Sequence, residues 1–189
     1  MITTTLARST LALALGTACL IAQASTGTST NTLNVDVSHI ASQGLLGASG
    51  NTVLSLNLGA NTQINSLDWD VTLQAFAPSW LSELQVTLSS SDSSSAVSLA
   101  PGFGVDQAGS QHFSGHIDLT EQGLNFSVGT DGVLRLEFSE RSADGLSPDG
   151  LWQSGRLSLG LAPAVPEPAS YGLMALGLLA VGAATRRRR

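Results

Sequence analysis

Lysine is absent from this 189-residue chain, and cysteine occurs once, at Cys19. The chain therefore has no amine side chain and a single thiol to offer as a nucleophile. Charged residues make up 12% of the sequence, and every basic one is arginine. Thirteen of the 14 acidic residues lie between residues 26 and 164, with only three of the eight arginines. A segment with this negative excess repels phosphate, which argues against nucleic acid as a partner.

The first 24 residues have the pattern of a secretory signal peptide. Arg8 is the only charged residue before Asp36, and an uncharged apolar run occupies Leu11 to Ala22. Small residues at Ala22 and Ala24 predict cleavage after Ala24. The run is too short to span a hydrocarbon core of about 30 Å. Residues 1–24 are therefore predicted to be a signal peptide, and residues 25–32 a flexible N-terminal tail.

The same segment has two alternative interpretations. It could be a buried core helix, or Cys19 could be a lipoprotein acylation site. The second alternative lacks its usual leucine, because Gly16 stands three residues before Cys19. Cleavage after Ala24 removes the only cysteine, so the exported domain must be stabilised by its hydrophobic core and not by disulfides.

Residues 163–189 contain three distinct segments. An extended, proline-containing segment, residues 163–168, is followed by the uncharged residues 169–185 and by four arginines, Arg186, Arg187, Arg188 and Arg189. Seventeen helical residues span about 25 Å, which suffices for a transmembrane helix if its terminal arginines snorkel. The positive-inside rule places the arginines in the cytoplasm and the preceding domain in the periplasm. A buried C-terminal helix is the alternative.

This order of segments resembles the PEP-CTERM sorting tail of exported proteins from Gram-negative bacteria that make extracellular polysaccharide. The resemblance rests on Val165-Pro166-Glu167-Pro168, the helix rich in Gly and Ala, and the closing arginines. It implies that a membrane-embedded exosortase, a cysteine transpeptidase-like enzyme, recognises Pro166, Glu167 and Pro168 and removes the tail. The two prolines favour an extended backbone without helix or ladder hydrogen bonds, which a processing enzyme can bind.

The central segment, residues 33–162, alternates apolar and polar residues with the period of a half-buried strand. Turn-forming residues separate the alternating segments, and none keeps a helical period over three turns. Clean alternation is typical of antiparallel sheets covered on one face. We therefore predict a single all-β ectodomain, an antiparallel β-sandwich or jelly roll. The nine predicted strands are centred on residues 33–37, 54–58, 67–73, 84–88, 97–99, 113–119, 124–128, 134–138 and 157–161.

A looser resemblance covers residues 134–157. The strand from Leu134 to Ser139, the acidic loop from Glu140 to Gly150 and the Trp152 strand are similar to the closing part of proprotein-convertase P-domain-like sandwiches. It favours the sandwich fold.

Catalytic chemistry has little support in the sequence. A secreted hydrolase would require one of the three histidines, His39, His112 or His116, to be buried against a carboxylate and a serine. Asp68 and Asp70 share the polar face of one predicted strand, but the alternation alone explains them. His112 and His116 share the polar face of another, where a zinc site is the alternative to a solvated surface.

Two further candidates concern ligands. Asp131, Asp144 and Asp149 lie in loops beside glycine, a composition compatible with calcium coordination, although Asp-Gly is also a common turn. Trp80 and Trp152 are placed near turns, where a carbohydrate-binding module would present stacking platforms; core packing is the alternative. We expect a non-enzymatic exported protein without a cofactor, destined for the cell surface or a polysaccharide matrix, with a carbohydrate-binding module as the alternative.

Overall fold

The computed structural model describes residues 31–142, 145, 147–162 and 178. The predicted signal peptide, the sorting motif, the arginine cluster and Asp144 lie outside these residues, as does the predicted transmembrane helix apart from Leu178. A search of the described residues finds no helix long and apolar enough to cross a bilayer.

The described chain is built from strands, with one short 3₁₀ turn at Leu81–Glu83. All nine predicted strands are present, although the segment at 124–128 contributes only two strand residues. The first strand begins at Asn31, inside the segment expected to be a flexible tail. The ten strands are β1 (Asn31–Asp36), β2 (Ile40–Ser42), β3 (Thr52–Asn57), β4 (Gln63–Ala75), β5 (Leu84–Ser90), β6 (Ala96–Leu99), β7 (Gly109–Asp118), β8 (Phe126–Ser127), β9 (Val133–Glu140) and β10 (Gly150–Ala162).

The strands form two antiparallel sheets. The larger sheet has the order β1-β10-β4-β7, with β2 also paired to β10 and β8 to β4. The smaller sheet has the order β3-β9-β5-β6. Every strand pairing is antiparallel. The prediction of an antiparallel β-sandwich is therefore confirmed.

The alternating pattern determines which side chains enter the core. On β4, Leu67, Val71 and Leu73 are completely buried, whereas Asp70 faces solvent. The same alternation on β9 directs Leu134, Leu136 and Phe138 inward. These inward rows of the two sheets pack against one another and form one continuous hydrophobic cluster.

Trp152 lies inside a strand, which corrects the expectation that it sits near a turn. It belongs to β10, is fully buried and packs edge-to-face on Phe138 with ring centroids 5.2 Å apart. A register shift between Trp152 and Ser154 changes which parity faces the core. The alternation of Leu157 and Leu159 therefore could not be extended back to residue 152.

The long strand β10 connects the two ends of the sandwich. Its thirteen residues span about 40 Å at roughly 3.3 Å each. Ala162 ends it opposite Gln63, whereas Gly150 begins it opposite Ser42. We call these the tail end, where the chain continues toward the sorting motif, and the far end.

Candidate functional sites

The polar face of β4 and β7 brings two histidines onto two aspartates. His112 Nε2 lies 2.8 Å from Asp70 Oδ1, and His116 Nδ1 lies 2.7 Å from Asp68 Oδ1. The antiparallel register produces this arrangement, because Asp68 pairs directly with His116 and Thr72 with His112. All four side chains are at least half exposed. The hydrogen bond from His112 is the main cause that lowers the pKa of Asp70 below its usual value.

This face forms two separate pairs. Each histidine is satisfied by its own carboxylate, and no group of three or more His, Cys, Asp or Glu side chains able to hold a metal occurs in the described part of the chain. A hydrolase would need a buried histidine, but His112 and His116 are more than half exposed. The arrangement is that of a solvated surface with two exposed His–Asp contacts, which contribute little to stability.

A second cluster, which the sequence analysis missed, lies at the far end. Glu140 and Asp149 are each 1% exposed, and their carboxyl groups face one another. Both side-chain oxygens of Glu140 and the Oδ1 atom of Asp149 are buried without a hydrogen-bond donor. Burial is the main cause that raises the pKa of Glu140 to about 8, and the neighbouring Asp149 carboxyl is the next largest. Two buried carboxylates in contact cannot both be ionised without a compensating positive charge.

Strand parity explains how Glu140 came to be buried. It is the next even-numbered position after Leu134, Leu136 and Phe138, so it continues the inward row of β9 to the end of the sandwich. Asp149 precedes β10, and its backbone N–H donates to the Ser42 carbonyl at 3.1 Å. A carboxylate at an inward position was the signal available in the sequence.

The proposed calcium candidates are separated. Asp131 lies near the tail end, where its Oδ1 accepts the Val133 N–H at 3.2 Å. The pKa of Asp131 is lowered mainly by a hydrogen bond from the Ser91 side chain and next by the one from the Val133 N–H. Asp149 lies at the other end of β9 and Asp144 is outside the described residues. The structure therefore does not bring Asp131 and Asp149 into one site.

Exposed aromatic side chains also mark the far end. Trp80 is 45% exposed and Phe103 is 73% exposed. The Arg141 guanidinium lies 5.1 Å from the centre of the Phe103 ring. Glu83 connects these residues, because its carboxylate accepts the Trp80 N–H at 2.8 Å and its carbonyl accepts the Arg141 N–H at 2.9 Å. Two aromatic rings are thus accessible at the end opposite the tail.

Comparison with solved structures gives only distant likenesses. The VP2 subviral particle of infectious bursal disease virus is 18% identical over 71% of this chain and 33% of its own, with a TM-score of 0.34. Latent PorU from Porphyromonas gingivalis is 11% identical over 70% of this chain and 13% of its own, with a TM-score of 0.34. The chain in the structure of tomato aspermy virus is 9% identical over 74% of this chain and 80% of its own, with a TM-score of 0.30. The chain spans a third or less of the first two proteins, and scores this low carry no inference.

Sequence comparison finds a match for the segment that follows the sandwich. No curated protein matches the chain, and the resemblance to P-domain sandwiches is not shown. Residues 164–189 match the PEP-CTERM protein-sorting motif. That motif implies export, sorting to the cell envelope and processing by an exosortase-type enzyme. The chain therefore carries, at residues 164–189, the PEP-CTERM sorting motif that Pro166, Glu167 and Pro168 indicated.

Proposed function

We propose that this protein is a non-enzymatic cell-surface or extracellular-matrix protein, delivered by its PEP-CTERM tail and associated with extracellular polysaccharide. The match of residues 164–189 to the sorting motif carries the proposal. An apolar helix at 169–185 first holds the exported chain in the inner membrane, with Arg186 to Arg189 in the cytoplasm. Exosortase then cuts near Pro166-Glu167-Pro168 and releases the ectodomain to its destination.

The point at which the chain leaves the sandwich supports this topology. Within the described residues, the buried hydrophobic cluster runs from Val35 to Leu159. The chain leaves the sandwich at Ala162, so the far end projects about 40 Å beyond the point of attachment. The surface at the far end is then free to meet material outside the cell while the tail is in the membrane.

A non-enzymatic role is consistent with the polar groups of the sandwich. His112 and His116 are each bound by an exposed aspartate. Neither is buried against a carboxylate and a serine, the arrangement that a serine hydrolase would use.

Carbohydrate binding is the second candidate, and the exposed rings of Trp80 and Phe103 at the far end favour it. No coplanar ring pair accompanies them in the described residues, where the ring contact recorded is Phe138 on Trp152. A Trp80→Ala, Phe103→Ala double variant should lose retention on immobilised polysaccharide if this surface binds sugar. Equal retention of the variant would remove the candidate.

Fractionation of the producing bacterium tests the leading proposal. The wild-type ectodomain should be recovered from the cell surface and the polysaccharide matrix. In a strain without exosortase it should remain with the inner membrane. Recovery only from the periplasm of both strains would contradict delivery by the tail.

A further inference from the structure

We propose that Glu140 and Asp149 form a calcium-binding site at the far end of the sandwich, independent of the sorting tail. The two carboxylates supply the anionic ligands. The backbone carbonyls of Ser42, the last residue of β2, and of Gly44 complete the coordination.

The unsatisfied oxygens are the first support. Both carboxylate oxygens of Glu140 and one of Asp149 are buried without a donor. The Ser42 hydroxyl donates its hydrogen to the Ser139 carbonyl at 2.9 Å, although it also lies close enough to Glu140 to lower the pKa of that carboxyl. Buried carboxylates are normally paired with a cation or ligate a metal. Three orphaned oxygens at 1% exposure therefore indicate a missing positive charge.

The surrounding charge is the second support. The negative charges of the Asp149 and Glu83 carboxylates both repel a negative charge on Glu140 and so raise the pKa of its carboxyl. In the described residues, the contacts between a basic side chain and a carboxylate are those of His112 and His116, on the polar face of the larger sheet. Arg141, next to Glu140 in sequence, lies over the Phe103 ring. The site is thus negative and lacks a paired basic side chain among these residues.

The ligand chemistry selects calcium. The side-chain groups that act on Glu140, those of Asp149, Ser42 and Glu83, are all oxygens, which hard divalent cations prefer. The Ser42 carbonyl accepts the Asp149 N–H, and the Gly44 carbonyl accepts the Glu140 N–H at 2.8 Å. Each carbonyl retains a second lone pair. Calcium accepts such protein oxygens at irregular angles, whereas magnesium retains several waters that a site this buried does not favour.

Terbium luminescence and thermal melting test the site on the full chain in mild detergent, after treatment with a chelator. Trp152 is buried three residues after Asp149 and serves as the sensitising ring. Terbium should luminesce on tryptophan excitation, and calcium should quench it by competition. With a dissociation constant of about 10⁻⁴ to 10⁻³ M, as in extracellular modules, millimolar calcium should raise the melting temperature by roughly 2 to 6 °C.

Variants locate the signal. Glu140→Gln and Asp149→Asn should each lose the calcium-induced shift and the luminescence. Asp131→Asn, at the opposite end of β9, is the matched control and should keep both. Retention of both signals in the first two variants would overturn the proposal. So would a wild-type chain whose melting temperature does not respond to calcium and which gives no terbium signal, since the pair would then simply share a proton. Because the calcium response and terbium luminescence of the wild-type chain can contradict the proposal by themselves, the test does not depend on the variants being able to fold.

Discussion

Phe138 and Trp152 meet edge-to-face between the two sheets, with ring centroids 5.2 Å apart and ring planes at 83°. Phe138 belongs to β9 of the smaller sheet and Trp152 to β10 of the larger one. Both side chains are completely buried. This contact joins the sheets at the far end of the core.

Trp152→Ala should therefore lower the free energy of unfolding by about 3 to 5 kcal/mol, because it removes a large buried ring and leaves a cavity. Denaturant unfolding, followed by circular dichroism, measures the change. Trp80→Ala is the matched control, since Trp80 is 45% exposed, and it should change stability by about 0.5 kcal/mol or less. Equal losses in both variants would contradict the assignment of Trp152 to the core.

Gly115 on β7 lies under the indole ring of Trp69. A Cβ atom at this position would collide with the six-membered part of that ring. Gly115→Ala should destabilise the sandwich by roughly 1 to 3 kcal/mol, even though alanine normally suits a strand better than glycine. Ser114→Ala, on the solvent-facing side of the same strand, should be nearly neutral. A stabilised Gly115→Ala protein would show that β4 and β7 do not pair in this register.

The hydrogen bond between His112 and Asp70 predicts a site-specific titration. Because that bond is the main cause that lowers the pKa of Asp70, the carboxyl should titrate below 3.8 in a pH series followed by NMR. The contribution of a carboxyl with a lowered pKa is present above its unfolded value and is lost as the pH falls through the folded value. His112→Ala should raise the pKa of Asp70, while His116→Ala should leave it unchanged. An unchanged pKa in the His112 variant would mean that the pair does not form in solution.

The strands could be predicted because nearly every one keeps one face in the core. Period-two alternation located β4 and β9 directly, and it also predicted which residues of β4 face solvent. Strand β2, Ile40–Ser42, was missed because three residues carry too little alternation to be recognised. Trp152 was misplaced because a register shift reversed the inward parity within β10.

The pairing of polar side chains was harder to predict. The shared faces of His112 and His116 and of Asp68 and Asp70 followed from alternation, but their contacts depend on the register between β4 and β7. That register is set by packing of the whole sheet. Glu140 was overlooked because a carboxylate is ordinarily assigned to the surface, although its even-numbered position already indicated the core.

Folding should not depend on the sorting motif, since the described residues from Val35 to Leu159 already form a continuous hydrophobic cluster between the two sheets. Replacing Pro166, Glu167 and Pro168 by alanine should leave the melting temperature of the ectodomain unchanged. The variant should be exported but retained in the inner membrane. Deleting residues 169–189 should instead release a soluble, folded domain. A variant that misfolds would contradict the separation of sandwich and tail.

Replacing Arg186 to Arg189 by glutamate should weaken membrane retention. The change removes both the positive charges that orient the helix and the side chains that extend a segment of marginal length. Carbonate extraction of membranes measures the retained fraction, with Arg135→Glu as a control for charge in the ectodomain. Equal retention of the arginine-tail variant and the wild type would argue against this topology.

The most direct measurement is the intact mass of the protein from two otherwise identical hosts, one with exosortase and one without. With the enzyme, the mature chain should begin after Ala24, end near Pro166-Glu167-Pro168 and lack residues 169–189. Without the enzyme, the same chain should retain Arg186 to Arg189 and fractionate with the inner membrane. If the mass includes the full tail in both hosts, residues 164–189 act as a simple anchor and the sorting account is wrong.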